Sequence, residues 1–144
     1  MPELLGVRLP PSLIRPLVVP LAAAGLAPFD IHLLTAIGRR TGRRYTTPVT
    51  VLRHDGARWL VAPYGERNWV KNARAAGWVE LRRGRRRERV RVEELPPDER
   101  PPVLRAYLRR VPANRDLFDA PPDAPPEAFA ARAGRQPVFR VLEG

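Results

Sequence analysis

The sequence predicts an α+β domain made mainly of antiparallel β-structure, arranged either as a barrel or as a sheet with peripheral helices. Segments rich in β-branched and apolar residues are joined by tight turns, of which Asp55-Gly56 is the strongest hairpin signal. No regular alternation of strands and long helices is present, as a parallel sheet would require. At 144 residues, without an internal repeat or a long linker, the chain fits one domain.

We expect this domain to cover residues 1–144 in three parts. An apolar, helical N-terminal segment occupies residues 1–28. The barrel core occupies residues 30–95 and includes a helix over residues 68–76. A C-terminal helix, a loop and the last strand occupy residues 96–144.

The N-terminal segment is apolar and interrupted by prolines. Apolar residues recur at helical spacing within residues 13–28, which predicts a short amphipathic helix. This helix either plugs one end of the core or, aided by Arg8 and Arg15, docks peripherally on a membrane. The apolar stretch Leu17–Pro28 is too short to span a bilayer, and no secretory signal is evident. We therefore expect a cytoplasmic protein, with membrane association as an alternative.

The first three strands follow this segment. Apolar residues within 31–37 predict a largely buried strand that ends at Gly38. Residues 45–54 form a second strand, rich in β-branched residues, in which Pro48 indicates an edge position or a bulge. Residues 58–62 form the returning strand of the hairpin.

The second half of the predicted core begins with a helix over residues 68–76, with Asn68 as its N-cap and Gly77 just beyond its end. Strands over residues 78–82 and 85–95 follow. The second of them alternates valines with arginines, which is typical of a half-buried strand.

The C-terminal part contains a helix over residues 98–110, a proline-rich loop over 111–126, a helical turn over 127–133 and a strand over 136–142. The helix has one apolar face, formed by Val103, Leu104, Tyr107 and Leu108.

The composition excludes several classes of site. The chain has no cysteine, so disulfides, thiolate metal sites and cysteine nucleophiles are absent. Its two histidines, His32 and His54, are too few for a zinc site, and we predict no metal. Ser12 is the only serine and lies in no nucleophile elbow, which argues against a hydrolytic triad.

Positive charge dominates the chain: 26 Lys and Arg stand against 15 Asp and Glu, and Lys71 is the single lysine. Arginine forks bind phosphate and carboxylate oxygens in pairs, so this excess favours anionic partners. Seven arginines cluster within Leu81–Val92. Arg82–Arg91 is therefore the best candidate for a nucleic-acid-binding surface, although alternate arginines are also typical of the solvated face of an edge hairpin.

The turn Gly38–Pro48 combines two glycines, four arginines and three threonines. Glycines permit tight turns and close approach of a ligand, while exposed N–H groups, hydroxyls and guanidinium groups suit a phosphate or a polycarboxylate. The turn lacks the Gly-Lys-Ser/Thr ending of a P-loop. From the residues alone, an anion site and a solvated basic turn are equally good interpretations.

Three segments together resemble a known family. They are LLTAIGRRTGRRYTTPV (Leu33–Val49), VLRHDGARWLVAPYG (Val51–Gly65) and NWVKNARAAG (Asn68–Gly77). In this order and spacing, and with QPVFRVL near the end of the chain, they resemble the deazaflavin-dependent nitroreductase-like family of the FMN-binding split β-barrel superfamily. The resemblance implies a split β-barrel with peripheral helices.

The resemblance also implies coenzyme F420 as the cofactor, with FMN less expected. The Gly38–Pro48 turn would hold the phosphate and carboxylates, Thr46–Thr50 would line the deazaflavin, and Val61–Tyr64 with the helix Asn68–Asn72 would close the other side. The implied cofactor-binding residues are Arg39, Arg40, Thr41, Arg43, Arg44, Tyr45, Thr46, Thr47, Pro48, Val49, Thr50, Val61, Ala62, Pro63, Tyr64, Asn68, Trp69, Val70, Lys71 and Asn72.

The reaction implied is hydride transfer from reduced F420 to a small, hydrophobic, electron-poor acceptor such as a quinone, a nitroaromatic or an enone. Tyr64, Tyr107 or water would donate a proton to the product, and Tyr107, Phe118 and Phe129 are candidate substrate contacts. The alternative is a non-enzymatic protein of the same fold that binds lipid or another anionic ligand. A nucleic-acid-binding module is the third possibility, and the chain is expected to be a monomer or a homodimer.

Overall fold

The computed structural model describes residues 3–4, 7–8, 30–118 and 120–143. In the N-terminal part, β1 (Glu3–Leu4) and β2 (Val7–Arg8) pair antiparallel, so strands occupy part of the segment predicted to be helical. The helix predicted within residues 13–28 lies outside the described residues.

Six antiparallel strands form a closed barrel in the order β3-β4-β5-β8-β7-β6, which confirms the predicted fold class. They are β3 (Ile31–Ile37), β4 (Arg44–His54), β5 (Ala57–Val61), β6 (Trp78–Arg83), β7 (Arg86–Glu94) and β8 (Val138–Leu142). The observed limits agree with the predicted strands to within one or two residues. Non-local pairing closes the barrel, since β8 lies between β5 and β7 and β6 pairs with β3.

Alternate residues of the six strands point into the barrel, because successive side chains of a strand face opposite sides. This inner core is apolar and nearly inaccessible to solvent. Its strand members are Leu34, Ala36, Val51, Leu60, Val79, Leu81, Val90, Val92, Phe139 and Val141.

Helix α1 (Asn68–Ala76) adds Val70 and Ala73 to this inner core. The helix ends where predicted: Gly77 has φ 79°, and its N–H donates to the carbonyl of Ala73 at 2.8 Å. The prediction of Asn68 as N-cap is wrong. Asn68 is the first helical residue, and Arg67 occupies the cap position without a side-chain hydrogen bond.

The C-terminal part packs a second apolar cluster against the outer face of β4 and β5. Helix α2 (Pro101–Arg110) buries the four residues predicted for its apolar face, together with Trp59 and Val61 of β5. The predicted helix start at residue 98 is corrected, because a 3₁₀ turn over Pro97–Glu99 precedes α2. The predicted loop also contains 3₁₀ helix over Pro112–Leu117, and Pro126–Phe129 leads into the short helix α3 (Ala130–Ala133).

Candidate functional site

The barrel has a slit along one edge of β4. Residues Arg44–Thr50 of β4 pair with β3, whereas only Val51–His54 pair with β5. Strand β5 continues past this point to pair Val61 with Val138 of β8. The backbone edge of Arg44–Thr50 that faces away from β3 therefore has no strand partner among the described residues. Pro48 lies on this edge, as its missing N–H predicted.

The turn between β3 and β4 stands at one end of the slit and is held by its own hydrogen bonds. The N–H of Gly38 donates to the Arg43 carbonyl at 2.7 Å, and the N–H of Gly42 donates to the Gly38 carbonyl at 2.9 Å. The Thr41 hydroxyl accepts from the N–H of Arg43 at 3.2 Å and lies 3.2 Å from the Tyr45 hydroxyl. These bonds between residues of the turn fix its conformation.

Gly38 is required by this arrangement, because the Thr41 and Tyr45 side chains close over it. A Cβ at position 38 would lie 2.6 Å from Thr41 Oγ1 and 2.7 Å from Tyr45 Cε2. The glycine lets the turn fold back on itself and keep its N–H groups and hydroxyls close together. The internal bonds use the N–H groups of the turn, and the exposed Arg40 and Arg43 side chains are the groups that fit the phosphate and carboxylates of F420.

The four arginines of the turn fall into two pairs. Arg39 donates from its backbone N–H and from Nη1 to Asn72 Oδ1, at 3.1 and 2.9 Å, which ties the turn to α1. Arg44 forms an ion pair with Glu80 of β6. Arg40 and Arg43 are exposed and have no ion-pair partner within the described part of the chain. They are the two guanidinium groups left available to an anion.

The opposite wall of the slit continues from the end of β5. The N–H of Ala62 donates to the Pro137 carbonyl at 2.9 Å, and buried Gln136 donates from Nε2 to the carbonyls of Leu117 at 2.8 Å and Pro63 at 3.3 Å. Tyr64 follows with 42% of its surface exposed. Gln136 was not predicted as a site residue, since its two backbone partners are distant in sequence.

Tyr64 stands next to a cation. The Arg67 guanidinium carbon lies 5.5 Å from the centroid of the Tyr64 ring. Partial burial raises the pKa of Tyr64 above its ordinary value of 10.0, and the nearby Arg67 only partly opposes this. The phenol therefore remains protonated at neutral pH.

The first turns of α1 bring the predicted helix residues to the same end of the barrel. Asn68 and Lys71 are exposed, Val70 and Asn72 are buried, and Trp69 is half-buried against the inner core. The Trp69 ring centroid lies 5.9 Å from that of Phe139, with the planes tilted by 49°. One part of the indole is fixed by packing while the rest reaches the surface.

Within β4, the threonines have different partners. Thr46 lies 2.7 Å, hydroxyl to hydroxyl, from Thr35 of β3. Thr47, Val49 and Thr50 are half-buried along the slit. Thr50 also hydrogen-bonds the Tyr107 hydroxyl, which links the slit to α2.

The three predicted substrate contacts are packed inside the second apolar cluster. Tyr107 is 4% exposed, Phe118 is 7% exposed and Phe129 is 1% exposed. Asn114 Nδ2 donates to the Tyr107 hydroxyl at 2.8 Å, and burial raises the pKa of Tyr107 well above its ordinary value. The Tyr107 hydroxyl connects to the slit through its hydrogen bond with Thr50. Contact of the three residues with a substrate stays a prediction.

Among the described residues, no three His, Cys, Asp or Glu side chains cluster as metal ligands. Within the same ranges, no helix has the length and apolarity needed to cross a bilayer.

Solved structures similar to this chain share its fold at low sequence identity. An F420-H2-dependent reductase (FDR-A) has a TM-score of 0.55 and 21% identity, covering 78% of this chain and 94% of its own. A structure described as a domain-swapped dimer has a TM-score of 0.58 and 18% identity, covering 91% and 98%. An FAD-binding protein from Mesorhizobium loti has a TM-score of 0.51 and 14% identity, covering 88% and 87%. No curated protein matches the chain.

The sequence itself gives the more specific result. The pattern that defines the F420H(2)-dependent quinone reductases matches residues 19–120, a range that includes β3 to β7, the turn between β3 and β4, and helices α1 and α2. The match confirms the predicted relationship to F420-dependent reductases and the expectation of an oxidoreductase. This chain belongs to the F420H(2)-dependent quinone reductase family.

Proposed function

We propose that this protein binds F420H2 in the slit beside β4 and reduces a quinone-type acceptor. The observation that carries the proposal is the pair Arg40 and Arg43, exposed and unpaired within the described chain, on an ordered turn at the end of an open strand edge. The match of residues 19–120 to the F420H(2)-dependent quinone reductases supports the same cofactor.

The anionic part of the cofactor belongs at the turn. Arg40 and Arg43 supply guanidinium groups, and Thr41 supplies a hydroxyl already oriented by the N–H of Arg43. Arg39 and Arg44 have a structural role instead. Arg39 donates to Asn72 and so holds the turn to α1, and Arg44 pairs with Glu80 and so holds it to β6. Lys71 and Asn68 at the start of α1 add polar groups on the same side.

The ring belongs between the open edge of β4 and the start of α1. Backbone N–H and C=O groups of Thr46–Thr50 lie along that edge, and half-buried Trp69, held against Phe139, would offer an aromatic surface to the ring. Ala62 and Pro63, just beyond the end of β5, form an apolar wall that limits water, whereas the Val61 side chain packs in the second apolar cluster. FMN offers a similar ring with a single phosphate, and the two arginines favour the more highly charged F420.

The bound F420H2 supplies a hydride, so the chain needs no nucleophile of its own. Its residues orient the ring, exclude water and provide a proton. We assign the proton to Tyr64, which is protonated at neutral pH and 42% exposed at the end of β5. Tyr107 is a poorer donor, because its hydroxyl is buried and bonded to Asn114.

The first experiment measures binding of oxidised F420 by quenching of tryptophan fluorescence. We expect saturable quenching that is lost largely with Trp69→Phe and kept with Trp59→Phe, because Trp59 is buried on the outer face of the barrel. Replacing Arg40 or Arg43 with Gln should raise Kd about tenfold, as expected for one charge-assisted hydrogen bond. Arg85→Gln makes the same charge change on an exposed turn elsewhere and should leave Kd unchanged.

The second experiment measures turnover. The oxidised deazaflavin absorbance should reappear when F420H2 is mixed with a soluble quinone, and more slowly with a nitroaromatic or an enone. Binding without turnover would favour the alternative of an anionic-ligand carrier. Absence of F420 binding, with the protein folded, would overturn the proposal.

Two further predictions can be placed against the structure. For nucleic acid, the face of β6 and β7 offers one indole, Trp78, but the Arg89 guanidinium already lies 3.6 Å from its centroid, so base stacking is disfavoured.

For the homodimer, the similar structure described as a domain-swapped dimer is the supporting observation. Sedimentation at the concentrations used for turnover will give the oligomeric state.

A further inference from the structure

The barrel has a polar cavity of about 320 Å³ that is separate from the slit. Its lining within the described part of the chain consists of ionisable residues: Asp30, His32, Arg53, Arg58, Arg83, Arg86 and Glu88. Asp30 directly precedes β3 and the others come from β3 to β7, at the end of the barrel where the turns Asp55-Gly56 and Gly84-Arg85 lie. The turn between β3 and β4, which carries Arg40 and Arg43, stands at the other end.

This cavity continues the interior of the barrel. His32 lies two residues before the core residue Leu34 on β3, and Arg53 lies two residues after the core residue Val51 on β4, so both face the barrel interior. By the same two-residue step, β5 passes from Leu60 to Arg58 and β7 from Val90 to Glu88. The alternation that builds an apolar core thus places ionisable groups inward on four strands at one level.

One of these groups is already neutralised. Arg58, which is 9% exposed, donates from Nη1 and Nη2 to both oxygens of Glu88, at 2.7 and 2.9 Å. It also donates from Nε and Nη2 to Glu143, at 2.6 and 3.1 Å. Arg58 therefore forms a fixed floor that joins β5, β7 and the end of β8.

The other lining groups leave positive charge over this floor. Asp30 pairs with Arg110 outside the cavity at 3.7 Å, and Arg83 Nη1 donates to the Ile31 carbonyl at 3.0 Å. Arg53 and Arg86 are exposed, and neither has an ion-pair partner within the described ranges. They stand on two different hairpins and face one cavity.

His32 completes the lining of the cavity. Its Nδ1 lies 2.8 Å from the Asp30 carbonyl, an arrangement that places the ring hydrogen on Nδ1 and leaves Nε2 as an acceptor. Burial lowers the pKa of His32, so the ring is neutral at pH 7 when the cavity holds no anion. An anion beside the ring would reverse that effect, which makes His32 a reporter of occupancy.

We propose that this cavity binds a small molecule through a phosphate group, with Arg53, Arg83 and Arg86 around the phosphate and Arg58 beneath it. Guanidinium forks match phosphate oxygens in pairs, and three arginines from separate strands converge where two carboxylates are already engaged. The cavity has the volume of a small ligand site. Glu88 can accept from a hydroxyl on the same molecule, which favours a phosphate ester over free phosphate.

The test titrates the full chain with inorganic phosphate, with glycerol phosphate and with sodium chloride of equal ionic strength. We expect saturable thermal stabilisation by the two phosphates, of roughly 5–10 °C at about one hundred times Kd, and tighter binding of the ester. The ring resonances of His32 should shift with the same Kd. Assignment is simple, because the only other histidine is His54, outside the cavity lining.

Variants localise the binding. Replacing Arg53 or Arg86 with Gln should raise Kd at least tenfold, whereas Arg85→Gln, with the same charge change next to Arg86, should not. Replacement of either residue with Lys should restore part of the affinity. Arg40→Gln tests the slit: if that variant alone loses phosphate binding, or if the His32 resonances do not move, the proposal is overturned. Equal stabilisation by sodium chloride would also overturn it.

Discussion

At the scale of single residues, the arginines of this chain are distinguished by their partners rather than by their burial alone. Arg39, Arg44 and Arg58 are held by side chains of other elements, whereas Arg40 and Arg43 point to solvent. Paired arginines connect elements, and unpaired ones can bind a ligand. The sequence alone does not separate these groups, since all five look alike in it.

Arg58 gives a prediction about acid stability. Its hydrogen bonds lower the pKa of Glu88 and of Glu143 below the ordinary 4.5, so the unfolded chain takes up protons at a higher pH than the folded chain. The stabilisation is complete above about pH 4.5 and is lost as the pH falls toward the folded-state pKa values. Arg58→Met should cost about 1–3 kcal/mol at pH 7.

Urea unfolding from pH 7 to pH 3 checks this. The difference between wild type and Arg58→Met should shrink as the pH drops below about 4.5. Arg85→Met is the matched control, since Arg85 is exposed and lowers the pKa of neither carboxylate. A constant difference at all pH values would mean that the two carboxylates are not linked to Arg58 in solution.

Gly38 gives a second prediction at this scale. Gly38→Ala places a methyl group within 2.7 Å of the Thr41 and Tyr45 side chains, so the turn must open. We expect a loss of about 1–3 kcal/mol in the free energy of unfolding, as for overpacking elsewhere. Gly134→Ala is the control, because its φ of −65° suits alanine and nothing lies within 4 Å of the added Cβ. Urea midpoints that are equal for the two variants would contradict the close packing.

At the scale of elements, Asn72 joins α1 to the turn between β3 and β4. Its side chain is 3% exposed, and Oδ1 accepts both the backbone N–H and Nη1 of Arg39. Asn72→Ala would leave a backbone donor without its partner, at a cost of about 1–3 kcal/mol. Asn72→Asp keeps the acceptor and should recover most of this loss at neutral pH. If both variants unfold at the same urea concentration, the link does not stabilise the fold.

Local signals in the sequence place some of these elements and not others. The β-branched composition of residues 45–54 and the Asp55-Gly56 turn place β4 and β5 to within a residue, and Gly77 fixes the end of α1, because these signals are local. The predicted cap failed because Asn68 lies one residue inside the helix. The pairing of β5 with β8, and the partners of Arg58 at positions 88 and 143, depend on contacts between distant segments that no local pattern encodes.

At the scale of the whole molecule, one barrel separates two polar regions by an apolar interior. Helix α1 and the slit lie at one end, and the cavity above Arg58 lies at the other. Anions bound at the two places would share no side chain. Binding at one should therefore be detectable while the other is occupied, which allows the slit and the cavity to be tested in one preparation.

Closure of the barrel depends on its last strand. The family match ends at residue 120, yet β8 supplies Val138, Phe139 and Val141 to the two cores and pairs with both β5 and β7. Burial of three such side chains contributes about 5–9 kcal/mol, comparable with the whole stability of a domain of this size. A chain that stops after Gly134 should show no cooperative thermal transition, and its amide resonances should lose their dispersion. A chain that stops after Glu143 should behave as wild type. A cooperative transition in the shorter chain would mean that β3 to β7 fold without the strand that completes the barrel.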